Sequence, residues 1–128
     1  MGSDPQSMLS HSFTHVDSMT HISNVSLKRA LRWHPKGLNS WSLSDWFTAL
    51  AGEVGEAGNV IKKLNRVRDG IIGNKETHEQ LDQQLADELA DVYLYLDLLA
   101  QAADVDLPAA IIRKFNAVSD RHGFPEKL

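Results

Sequence analysis

Two long stretches of helical periodicity, each introduced by a capping-box sequence, constrain this chain more than any other feature. The first opens at Ser42, with Asp45 at the third helical position, and runs to about Asp69, ahead of Gly70 and Gly73. The second opens near Thr77, with Gln80 completing Thr-x-x-Gln, and continues through LDQQLADELADVYLYLDLLAQAA to about Ala103. In such a box the leading hydroxyl accepts from a backbone N–H of the first turn while the later side chain reaches back, so the helix start is fixed locally. At about 100° per residue, Trp46, Leu50, Val54, Ala57, Val60, Ile61 and Leu64 share one face of the first helix. Leu81, Leu85, Leu89, Val92, Tyr95, Leu96 and Leu99 share one face of the second. No segment competes with the period-two alternation of a strand.

A shorter helix is expected from about Ile22 to Trp33, where Pro35 disfavours helical geometry at His34 and Gly37 and Asn39 mark a loop. A last helix follows Asp106 as N-cap, has Pro108 in its first turn, and ends at His122 before Gly123 and Pro125. Short links between amphipathic helices imply an all-α, antiparallel four-helix-bundle-like domain over residues 21–128. Met1 to Ser7 (MGSDPQS) reads as an expression scar before a second methionine, Met8. The Ser- and His-rich stretch onward to about Thr20 reads as a flexible arm, so residues 1–20 are set apart. His11 and His15 stand at i,i+4 spacing there, but nothing nearby completes a ligand set, and a solvated tail is the expected reading.

A length of 128 residues with 42% hydrophobic content is enough for one core and too little for two ordinary domains. The absence of cysteine removes disulfides, thiolate metal sites and cysteine nucleophiles. A formal charge of -4 gives no overall pull toward a nucleic acid polymer, so a phosphate-bearing ligand must be held by local cations or through a metal. No apolar run has the roughly 18 residues that span a bilayer, and no signal peptide is recognisable, so a cytoplasmic protein without a membrane partner is expected.

The apolar faces carry acids. Glu53 falls inside the first stripe and Glu56 at its edge; Glu88 falls inside the second and Asp91 at its edge. Each pair is spaced to reach one point beside its helix. A carboxylate facing a helical core must be paired, protonated or metal-bound, because an unpaired buried charge costs several kcal/mol. If the two helices pack with these turns opposed, the oxygens converge into a site suited to Mg²⁺, with Mn²⁺ as a substitute. The plainer alternative is that the acids stand at stripe edges and reach solvent, a reading weakened by their shared register on two helices.

The segments Ala49–Glu56 (ALAGEVGE) and Leu85–Val92 (LADELADV), followed by Tyr95 and Leu96, resemble the ExxE and ExxD halves of the MazG-like all-alpha nucleoside triphosphate pyrophosphatases. Val105-Asp106-Leu107-Pro108 and Lys114 resemble the start of the last helix in the branch that includes the dCTP pyrophosphatases, and the likeness runs from about Trp41 to Arg121. The resemblance implies a MazG fold and Mg²⁺ held by Glu53, Glu56, Glu88 and Asp91. It also implies cleavage of a nucleoside triphosphate between its α and β phosphates to monophosphate and pyrophosphate, as nucleotide-pool housekeeping, in a homodimer or homotetramer. Glu53, at the drier centre of its stripe, is the expected general base, although Glu88 occupies the same position on its own helix.

Substrate contacts are expected from Lys63, two turns beyond Glu56; from Lys114, an amine among Leu107, Ile111 and Val118; and from Arg121 on the same side. Lys62, Arg66 and Arg68 fit a solvated basic helix end. The branch commonly has an asparagine four residues after this lysine, where this chain has Val118, with Asn116 two residues after, which puts that sugar or phosphate contact in doubt. Tyr95 and Trp41 are the expected stacking groups for sugar or base, with Trp33 and His34 nearby and Trp46 packing in the core. Gly52, Gly55 and Gly58 cost about 0.8–1 kcal/mol each relative to Ala in a helix, which points to close approach of another helix, one from a second subunit. Two other readings compete. A redox di-metal carboxylate bundle would want Glu-x-x-His pairs, which are missing. A non-catalytic interaction module would use the acids to meet a partner's lysines.

Overall fold

The computed structural model describes residues 15–128, with side chains from residue 18 onward. Among these, four α-helices and one 3-10 turn follow in order: α1 (His15–Trp33), the turn Leu38–Ser40, α2 (Leu43–Arg68), α3 (His78–Ala102) and α4 (Leu107–His122). No strand occurs among the described residues.

The helix starts are fixed by the expected chemistry. Ser42 Oγ accepts from Asp45 N at 3.1 Å, and Asp45 Oδ2 accepts from Ser42 N at 2.9 Å. Thr77 Oγ1 accepts from Gln80 N at 3.1 Å, and Gln80 Oε1 accepts from Thr77 N at 2.9 Å. Asp106 caps α4 through Ala109 N at 3.1 Å, and Gly123 closes it in the left-handed conformation, φ 69°.

The N-terminal boundary differs from expectation. The helix expected to begin at Ile22 already includes His15, so the stretch set apart as a flexible arm is helical at its end. Its serines, threonine and histidines are mediocre helix formers, and its anchor is tertiary. Ser23 Oγ donates to Asp97 Oδ1 at 2.6 Å, and Gln101 Nε2 donates both to Asp97 Oδ2 at 2.8 Å and to the Ser23 carbonyl at 3.2 Å. Asp97 is only 3% exposed, and these donors satisfy it without a cation. His11 and the side chain of His15 lie outside the described residues.

α2 and α3 form an antiparallel hairpin. Trp46 near the start of α2 clusters with Leu98 near the end of α3, Glu53 faces Glu88 midway, and Lys63 toward the end of α2 pairs with Glu76 just before α3. α1 packs on α3, and α4 packs on α1. The core is Ala30, Leu38, Trp46 and Leu98, with Leu27, Tyr95, Leu99 and Ala102 packed against it. Trp46 is buried with its indole N–H donating to the Leu38 carbonyl at 3.0 Å.

The apolar stripes are wider than the chain's own neighbours cover. Ala57, Val60 and Leu81 are buried, whereas Val54 and Leu89 are 52% and 53% exposed and Ile61 and Leu96 are exposed as well. Expectation placed all of these in the core; the single hairpin partner shields only the inner half of each stripe. Gly52, Gly55 and Gly58 likewise face open space, with nothing of this chain within 4 Å of where a Cβ would stand. Among the described residues no helix is long and apolar enough to cross a membrane.

Candidate metal centre and its cavity

The hairpin register brings the acids together. One carboxylate oxygen from each of Glu53, Glu56 and Glu88 lies within 4.8 Å of the other two. Asp91 is not part of that tightest group, but its charge acts on both Glu53 and Glu88, and with Glu53 it lines an adjoining cavity. Thus α2 supplies two acids and α3 the other two, each spaced at i,i+3 so that both point to the same side.

Electrostatically the cluster is under tension. Burial, then the neighbouring charges of Glu56, Asp91 and Glu88, push the Glu53 carboxyl above the ordinary carboxylate range. Burial, then the hydrogen bond and charge of Glu56 together with Asp91 and Asp87, push Glu88 in the same direction. Oε2 of Glu53 and Oε2 of Glu88 are both buried and have no hydrogen-bond partner. No lysine or arginine forms an ion pair with these four acids among the described residues. Orphaned buried oxygens in an all-oxygen donor set fit a hard divalent cation, and Mg²⁺ or Mn²⁺ would be held by Glu53, Glu56 and Glu88 with Asp91 alongside.

Beside the acids lies a cavity of about 310 Å³, walled by Trp33, His34, Trp41, Trp46 and Tyr95 together with Arg29 and Leu94. The His34, Trp41 and Trp46 rings pack on one another, with centroids 4.7 Å apart for His34 and Trp41 and 4.7 Å for Trp41 and Trp46. The size suits a small molecule, and the aromatic wall suits a flat one.

The expected substrate contacts divide. Trp41 and Tyr95 line the cavity. Lys63 does not: its Nζ is tied to Glu76 at 2.6 Å, in a loop also pinned by Asn74 Nδ2 donating to the Lys63 carbonyl at 2.8 Å. Lys114, expected to point to the core, is instead exposed, in a surface groove with Leu107, Ala110, Ile111 and Phe115. Arg121 is exposed at the end of α4. Within one chain neither reaches the cavity wall, because α4 packs on α1 rather than beside the acids. Arg29, Ser26 and Leu94 in that wall were not among the expected contacts. They are supplied by the docking of α1 on α3, a long-range contact for which helical periodicity carries no signal.

No protein-family model matches the chain. Over 72 residues it is 40% identical to the Gene 37 protein of Mycobacterium phage L5, a match that covers 56% of this chain and 59% of the phage protein. The chain therefore spans less than two thirds of that relative's length.

Proposed function

We propose that the protein is a divalent-metal-dependent nucleoside triphosphate pyrophosphohydrolase of the MazG-like type. The observation that carries this reading is the convergence of Glu53, Glu56 and Glu88 within 4.8 Å, two of them with buried, unpartnered oxygens, beside an aromatic cavity. The likeness of ALAGEVGE and LADELADV to the ExxE and ExxD halves of that family supports it from the sequence side. Bound Mg²⁺ would supply charge neutralisation to the triphosphate and acidity to the attacking water. Glu53, whose carboxylate lies both in the acid cluster and in the cavity wall, takes the proton of that water. The water oxygen joins the α-phosphorus, the α–β bridge breaks, and the bridging oxygen leaves with pyrophosphate. Trp41, His34 and Tyr95 hold the base and sugar end in the cavity.

The test is pyrophosphate release from a panel of ribo- and deoxynucleoside triphosphates with Mg²⁺, with Mn²⁺ and with EDTA. Release that requires metal and follows one or a few bases is the expected result. A folded protein that releases none from any nucleotide overturns the reading and favours a binding module.

The same proposal includes a homo-oligomer. Val54 and Ile61 on α2 and Leu89 and Leu96 on α3 repeat at seven-residue intervals on the uncovered side of the hairpin, and the open glycine positions lie on α2 as well. A second copy's hairpin would cover that seam as one bundle covers another. Sedimentation at micromolar concentration should give a dimer or tetramer, and Val54→Asp with Leu89→Asp should shift it to monomer; a monomeric wild type contradicts the proposal.

A further inference from the structure

We propose that Arg29 is the residue that holds the pyrophosphate portion of the substrate, an assignment that rests on the reading of the site as a triphosphate hydrolase. Among the described residues lining the cavity it is the one permanently charged cation, sharing the wall with Glu53 and Asp91. Arg29 and Leu94 border both this cavity and the adjoining one formed with His21, Ile22 and Val25. Asp91 and Leu94, one turn apart on α3, and Arg29 on α1 thus line the same cavity.

Its partners leave it available. Arg29 forms no ion pair among the described residues; its guanidinium instead lies 5.8 Å from the centroid of the Trp33 ring. A guanidinium resting on an aromatic face keeps its N–H edge free in the plane, and that edge matches a pair of phosphate oxygens. Lys63, the nearest cation anticipated on α2, is already engaged by Glu76. A triphosphate carries more negative charge than one divalent ion offsets, and four carboxylates stand beside it, so an uncommitted arginine at the cavity wall answers a need that nothing else on this wall meets.

The experiment compares wild type, Arg29→Gln and Arg29→Lys with the preferred nucleotide, using initial rates and inhibition by the two products, pyrophosphate and nucleoside monophosphate. Arg29→Gln should raise KM and the pyrophosphate inhibition constant together by about tenfold, roughly the loss of one charge-assisted contact. It should leave the monophosphate inhibition constant and the melting temperature near wild type, with Arg29→Lys between the two. Unchanged pyrophosphate inhibition in Arg29→Gln overturns the assignment while leaving the hydrolase reading intact. Weakened monophosphate binding with pyrophosphate unaffected also overturns it, and moves Arg29 to the base or sugar. A wild type without metal-dependent release overturns both.

Discussion

Glu88→Gln is expected to lower the proposed metal-dependent pyrophosphate release by about a thousandfold or more and, in metal-free protein, to raise the melting temperature. Both halves come from one atom's surroundings. Oε2 of Glu88 is buried without a hydrogen-bond partner, and burial with the Glu56 carboxylate beside it pushes the group toward its protonated form. In the proposed hydrolase that strain would become metal affinity, and removing the charge would remove a ligand on which turnover depends. Without metal, the neutral amide of nearly the same shape relieves like-charge repulsion and can donate to Glu56, so the melting temperature rises. The pH dependence follows with a definite sign. Glu53 and Glu88 bind protons more readily folded than unfolded, so their contribution to stability is present below the ordinary unfolded carboxyl value and is lost as pH rises through the higher folded one. Metal-free protein should therefore gain stability on acidification from neutrality through that window, and Mg²⁺ at pH 7.5 should restore what high pH removes. Thermal melts of wild type and Glu88→Gln with Mg²⁺ and with EDTA measure this; a less stable metal-free variant, or one with near-normal turnover, refutes it.

Trp46→Ala costs about 3–5 kcal/mol of stability. Trp46 is the largest side chain among those fully buried, sits in the cluster of Ala30, Leu38 and Leu98, and donates its indole N–H to the Leu38 carbonyl at 3.0 Å. Truncation opens a void where three segments meet and removes a wall of the aromatic cavity. Trp46→Phe keeps much of the packing and removes the indole donor, while the Leu38 carbonyl still accepts from Trp41 N at 3.2 Å, so the loss is at most about 1 kcal/mol. Urea unfolding of the two variants separates packing from hydrogen bonding, and an alanine variant that loses less than about 1 kcal/mol would remove Trp46 as the anchor.

What could be read from the sequence was local. Ser42 with Asp45, Thr77 with Gln80, and Asp106 ahead of Pro108 each act within one turn, and the three helices they begin start where those residues place them. The carboxylates were visible for the same reason: the register of Glu53 and Glu56 against Glu88 and Asp91 repeats along two helices of known period. The surroundings of Asp97, Arg29 and Leu94 were not legible, because they arise from the docking of α1 on α3, which joins residues more than sixty positions apart. The surroundings of Lys114 differ from the expected core face for a related reason. Its neighbours Leu107 and Ile111 look like a core face on a wheel, but in the fold that face is a surface groove.

The buried carboxylate of Asp97 has an evolutionary consequence. It joins the wall of the cavity to its floor, since Ser23 lies on the helix that carries Arg29 and Trp33 while Asp97 lies on the helix that carries Glu88 and Asp91. Among the described residues one hydroxyl and one amide satisfy this carboxylate, and loss of either donor strands the other groups. Ser23, Asp97 and Gln101 are therefore expected to be kept or exchanged together among relatives, and relatives in which one of the three changes alone would contradict this. The angle at which α1 meets the acids is therefore expected to vary less among relatives than the loop that links α1 to α2.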